Sequence, residues 1–358
     1  LESNYKVAGL APRPNVQVAV IPFPGEFQFN SLDNSAKWSL RSEVDPSDMR
    51  AFLLWEITQA IYTAIEGAGE TLQPNEKITI AVDTSHGFNV VPVLTYSIVR
   101  ELAGALSLIY DVDVQEFNSA PVVGDLSSNG LKEVNIMLVD SYRSKQFSGL
   151  SFHRPKAVLN GGYLRGIKIG SESQRRFDPQ LRKPLCEISK DDLLAFVAGA
   201  AYAFPLVVYH FFPDHRALFE CGDAITKRWI NDSGVTRRGS EVTVYHEDRL
   251  SEDFDLLAYS MLISRLLSQI KIQKKDRISK SDVNLLREKV YSANPLWDCI
   301  LSSTKTEIFE KHDTEKPRKN NTDIRNFIAH SGLTWELIHV TQENGEPHVA
   351  YLAEKLDC

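Results

Sequence analysis

Near its midpoint the sequence changes hydrophobic period, and this change limits the possible folds more than any other feature. In the first part, short β-branched runs alternate with stretches of helical spacing, a pattern that argues for strands and helices in turn. Val16 to Ile21 reads as a buried strand ending at the turn Pro22-Phe23-Pro24-Gly25. Asp48 to Glu66 carries Phe52, Leu53, Trp55, Ile57, Ile61 and Ile65 at helical intervals, with Ser47 as the expected cap and Gly67 as the expected stop. Ile78 to Asp83 reads as a strand, Thr84 to Gly87 as a loop and Val90 to Ser107 as an apolar helix. Val112 to Phe117 and Val134 to Val139 are two further apolar strands, so the first half is expected to form a parallel, Rossmann-like sheet.

From Ser151 to Pro184 the pattern loosens, and a domain boundary is expected near Lys183, giving a Rossmann-like unit over 1–183 and a helical unit over 184–358. Residues 191–230, 253–274, 281–291, 296–312 and 322–331 read as helices, and Glu241 to His246 as a short strand or hairpin. A length of 358 residues with 43% hydrophobic and 24% charged side chains suits two ordinary domains. The chain starts Leu-Glu-Ser-Asn-Tyr without Met, which reads as an interior starting point. Leu193 to Phe212 is long enough for a membrane span but contains Pro205, Tyr209 and His210, so a core helix interrupted near Pro205 is expected and no membrane contact.

The net charge of −7 and pI near 5.8 confine any RNA contact to a local positive site and make a stable DNA contact unexpected. Cys186, Cys221, Cys299 and Cys358 have neither zinc-clip spacing nor a disulfide framework, which suits a reducing cytoplasm. His210, Asp214 and His215 lack a diagnostic metal-ligand spacing, and no metal site is expected.

Two short segments carry chemistry. Arg325-Asn326-Phe327-Ile328-Ala329-His330 lies on a short helix with Asn321 or Thr322 as cap and Gly332 at its left-handed end. At about 100° per residue, Arg325 and His330 stand roughly 140° apart, whereas Asn326 shares a face with His330. One helix does not focus Arg325 and His330 on one point, so two copies of the helix meeting across a dimer would be needed. His330 suits proton transfer, Arg325 suits a phosphate, and Asn326 could orient the imidazole or a ribose hydroxyl. Lys316, Arg318 and Lys319 could hold a nucleic-acid backbone. An Arg and a His on a surface helix also arise by chance, and the spacing alone leaves that reading open. Upstream, Asp83-Thr84-Ser85-His86-Gly87-Phe88-Asn89 stands where a strand gives way to a helix, the edge at which open α/β sheets bind ligands. Gly87 allows a tight turn, and Asp83, Thr84, Ser85, His86 and Asn89 offer hydrogen-bonding groups to a nucleotide. Simple capping by Asp83 and Asn89 explains the same residues equally well.

Together the two strings resemble a known family. Arg325 to Leu333 is similar to the R-x4-H motif of HEPN ribonucleases, and Asp83 to Asn89 is similar to the ligand loop of the CARF domains joined to them in CRISPR-associated effectors. Val91-Pro92 and Asn118-Ser119-Ala120-Pro121 add to the resemblance. It implies a CARF sensor followed by a HEPN domain, acting as a homodimer or larger assembly. It further implies a cyclic oligoadenylate activator, such as the tetra-adenylate, and metal-independent cleavage of single-stranded RNA with Arg325, His330 and Asn326 in the site. The Pro-rich stretch from Val16 to Gly25 departs from the family's small-residue first loop, which puts that part of the sensor site in doubt. A sensing regulator that binds without cutting, and a sensor that degrades its own activator, are the competing readings.

Overall fold

A computed structural model describes residues 19–30, 37–69, 72–85, 90–119, 136–147, 164–166, 188–246, 248–250, 253–310 and 324–352. The expected first strand is corrected: 16–18 lie outside the described residues, Ala19 to Ile21 has no regular structure, and Val20 is 62% exposed. Strand β1 is instead Gly25–Asn30, after the Pro-rich turn, paired antiparallel with β2, Lys37–Ser42.

Helix α1 spans Pro46–Ala68, capped by Asp45, whose carboxylate accepts the Ser47 N–H at 2.9 Å, and closed by Gly69 at φ 53°. Both expected ends move outward by two residues. Proline at the first helical position has its φ already set and no N–H to leave unpaired, so the helix begins at Pro46 rather than after Ser47.

Strand β3 (Lys77–Asp83), helix α2 (Val90–Leu106) and strand β4 (Asp111–Ser119) form a β-α-β unit, with the strands parallel from Lys77 opposite Asp111 to Asp83 opposite Phe117. Strand β5 (Ile136–Arg143) then runs antiparallel to β4, so the sheet is mixed and not wholly parallel. The apolar run that suggested a buried strand, Ile136, Met137, Leu138 and Val139, is 50–62% exposed. As an edge strand, β5 has a neighbour on one side only, and composition alone does not distinguish it from a central strand.

Beyond β6 (Leu164–Gly166), the continuous helix expected over 191–230 is broken twice. Helix α3 (Lys190–Ala201) stops before Ala203 at φ 55°, Pro205 opens α4 (Pro205–His210), and Asp214 caps α5 (His215–Asn231). The expected hairpin is β7 (Ser233–Arg238) with β8 (Glu241–His246), and β9 (Asp248–Leu250) pairs with β6. Strand β8 also pairs parallel with β2, joining the N-terminal hairpin to the second half in the order β1-β2-β8-β7.

Helix α6 (Asp253–Gln269) ends earlier than the spacing suggested and is followed by β10 (Ile278–Ser279). Helices α7 (Lys280–Leu286) and α8 (Pro295–Lys305) each run on into a π-helical turn, Arg287–Tyr291 and Thr306–Glu310. After α9 (Ile324–Ala329) comes an unexpected hairpin, β11 (Ile338–Glu343) and β12 (Glu346–Tyr351), paired onto β10.

One hydrophobic core runs through both halves, with α6 at its centre: Phe254, Leu257, Met261, Leu262 and Leu266 are all fully buried. Trp55 of α1 packs on Phe254 at 5.5 Å between ring centres, and its indole lies against Gly222 of α5. Arg50 of α1 binds Glu101 of α2 at 2.7 Å and Asp255 of α6, while the Tyr259 hydroxyl of α6 donates to Glu101. The expected boundary at Lys183 lies outside the described residues. Among those described, no helix is long and apolar enough to cross a membrane.

Candidate functional site

The C-terminal motif is held from beneath. Phe327, on α9, meets Phe204 edge-to-face with centroids 5.0 Å apart. Gly332, at φ 76°, returns its N–H to the Phe327 carbonyl at 2.8 Å and ends the helix in the left-handed conformation expected of it. A side chain there would come within 3.1 Å of the Tyr351 hydroxyl on β12. Ser331, Leu333 and Thr334 are buried, so the turn carrying His330 is fixed to the body of the protein although α9 is short.

His330 lies in that turn, about one-third exposed, with Nδ1 3.3 Å from the Glu307 carboxylate in the π-helical turn after α8. Glu307 is the residue that sequence reading missed. It is 23 positions away in the chain, and nothing in its local pattern separates it from other surface glutamates of a helix. If Nδ1 carries the proton that faces Glu307, Nε2 is left as the imidazole's acceptor. Arg325 is exposed and sits about one and a half turns earlier on α9. The side chain of Asn326, the caps Asn321 and Thr322, and Lys316, Arg318 and Lys319 lie outside the described residues.

At the end of β3, the Asp83 carboxylate accepts the Ser85 N–H at 2.9 Å. The Thr84 N–H and hydroxyl both donate to the Phe117 carbonyl of β4, at 2.9 and 3.0 Å. These bonds tie the loop's first residues to the neighbouring strand and leave Thr84 shaping the loop rather than offering its hydroxyl to a ligand. The Ser85 hydroxyl oxygen is buried and unpartnered among the described residues. His86, Gly87 and Asn89 lie outside them, and α2 begins directly after, at Val90.

The three residues considered as metal ligands part company. His210 faces Asp276 at 3.3 Å, Asp214 caps α5, and the His215 Nδ1 is 2.9 Å from the Tyr62 hydroxyl. Burial, joined by the nearby Arg265, lowers the His215 pKa. Among the described residues, no group of three or more His, Cys, Asp and Glu side chains is placed to hold a metal ion.

Comparison with known proteins gives these observations a class. Residues 2–121 match the family model of the CARF domain of the CRISPR system endoribonuclease Csx1, so the chain carries a CARF domain that includes the Asp83 loop. The CRISPR system endoribonuclease Csx1 of Methanocaldococcus jannaschii is 24% identical over 366 aligned positions, which cover 93% of this chain and 71% of that protein. The resemblance to CARF-bearing CRISPR-associated effectors is thus borne out, and the chain is Csx1-like over nearly all of its length.

Proposed function

We propose that this chain is a ligand-controlled endoribonuclease of CRISPR defence, in which a CARF sensor governs a HEPN-type site containing Arg325 and His330. The observation that carries the reading is the fixed His330 turn with Glu307 on Nδ1, because an oriented imidazole is what acid–base cleavage of RNA requires. The His330 Nε2 takes the proton of a ribose 2′-hydroxyl, that oxygen attacks the adjacent phosphorus, and the 5′-oxygen leaves with a proton. The products are a cyclic 2′,3′-phosphate and a 5′-hydroxyl, with no metal ion needed.

Arg325 neutralises the charge that grows on the phosphate, worth about 10²–10³-fold, and proton transfer by His330 adds about 10²–10⁴-fold. Glu307 acts through His330 by fixing its tautomer and steadying the imidazolium. Because Arg325 and His330 diverge around α9, the complete site takes one set of residues from each of two chains. The activator is a cyclic oligoadenylate bound at the Asp83–Asn89 loop, where the unpartnered Ser85 hydroxyl is available to it.

The test is incubation of end-labelled single-stranded RNA with the protein and cyclic tri-, tetra- or hexa-adenylate in the presence of a chelator. Cleavage stimulated by one ring, with cyclic-phosphate ends, and its loss in His330→Ala and Arg325→Ala are expected. Full cleavage by either variant, 3′-hydroxyl ends, or abolition by the chelator would refute the assignment. RNA binding without cutting would favour a sensing regulator.

A further inference from the structure

The β1-β2-β8-β7 sheet has an aromatic face that the core does not use. Its register places Phe27, Phe29, Trp38, Leu40, Val242 and Arg237 on one side, with Phe29 directly opposite Trp38 and Arg237 opposite Val242. The five apolar residues belong neither to the hydrophobic core nor to the shell packed against it. Phe29 is 48% exposed, and Val235, further along the same face, is 64% exposed. The Arg237 guanidinium lies 4.4 Å from the centre of the Trp38 ring, so a planar cation and an indole form one composite surface.

Charge indicates what this face accepts. Lys37, Arg237 and Arg238 gather at the end of the sheet where β7 turns into β8, and among the described residues none of them is drawn into an ion pair. On a chain of net charge −7 this is a local positive site beside stacked aromatic rings. A second copy fits poorly, because a two-fold contact centred here would set these three cations against their own copies.

We propose that this face is a stacking platform for single-stranded RNA, with bases lying on Phe29, Trp38 and Arg237 and phosphates held by Lys37 and Arg238. Single-stranded nucleic acid offers free base faces to aromatic side chains and a backbone that cations can track. The choice of RNA rests on the nuclease reading, whereas the platform itself rests on the sheet.

Binding is followed by fluorescence anisotropy, with a labelled unstructured RNA of about 12 nucleotides, a length that a single-strand-binding fold spans. The full chain carries His330→Ala so that the probe survives. Trp38→Ala is expected to weaken binding about 5- to 100-fold, and Trp38→Phe, which keeps a ring, less than about 3-fold. Lys37→Ala with Arg238→Ala should lower the salt dependence of the affinity. A 5-iodouridine probe on the otherwise unaltered chain should cross-link to Trp38 or Phe29, a result independent of how the Ala variants fold. Equal affinity in Trp38→Ala and Trp38→Phe, or cross-links confined elsewhere, would overturn the platform. So would a Trp38→Ala chain whose change is in subunit number rather than affinity. Binding at Trp38 by a protein that never cuts RNA would leave the platform standing and remove the nuclease reading, and cutting without binding at Trp38 would do the reverse.

Discussion

Asp48, near the start of α1, offers a quantitative test of how the N-terminal hairpin is seated. It is 2% exposed, one carboxylate oxygen accepts from Arg249 at 3.2 Å, and the other has no partner among the described residues. Burial outweighs the Arg249 charge and pushes its pKa from 3.8 up to about 6. The unfolded chain therefore releases this proton near 3.8 and the folded chain near 6. Between those values folding takes up a proton, so this group favours the folded state at low pH and loses that contribution as pH rises. At about 1.4 kcal/mol per decade the interval is worth about 3 kcal/mol, of which about 2.5 falls between pH 4 and pH 7. Asp48→Asn keeps the shape and removes the titration. Urea unfolding of both proteins at pH 4 and pH 7 should show the stability of Asp48→Asn relative to the parent rising by about 2–3 kcal/mol at the higher pH. A difference that stays constant across that range would refute the assignment of a buried, proton-retaining carboxyl to Asp48.

Gly222→Ala should destabilise the fold by about 1–3 kcal/mol in thermal unfolding, although alanine is the better helix former by about 1 kcal/mol, because the new Cβ would lie 2.0 Å from the fully buried Trp55 ring. Phe327→Ala removes the edge-to-face contact with Phe204 that seats α9; kcat should fall more than KM rises, and unchanged kcat would show that the His330 turn holds without it. Glu307→Gln should slow cleavage about 10-fold and alter its pH profile, with Glu307→Asp recovering part of the rate; identical profiles would deny Glu307 any part in orienting His330.

The parts of the fold that the sequence disclosed are those governed by local pattern. The β3-α2-β4 unit matches within a residue or two because alternating and helical spacings are written in consecutive residues. Gly332 was legible for the same reason, since a helix end needing positive φ selects glycine. The C-terminal hairpin was equally local and was passed over: Asn344 and Gly345, at φ 53° and 83°, are the residues a two-residue hairpin turn favours. Other features depend on chain segments far apart. Ile136 to Val139 looks the same on a central strand as on an exposed edge, and Glu307 gains its meaning only when α9 docks beside it. The direction of β5 likewise follows from which strand it meets.

The pairing of β2 with β8 has a consequence for synthesis. Leu40 lies opposite Val242, so about 200 residues separate strands that are neighbours in the sheet. At about 5–20 residues per second, β2 leaves the ribosome roughly 10–40 s before its partner exists. Throughout that interval the β1-β2 hairpin, carrying Phe27, Phe29 and Trp38, has an open edge and an apolar face. The nascent chain is therefore most vulnerable to aggregation in its first strands, and slowing synthesis between residues 42 and 241 should lower the yield of soluble protein more than slowing it afterwards.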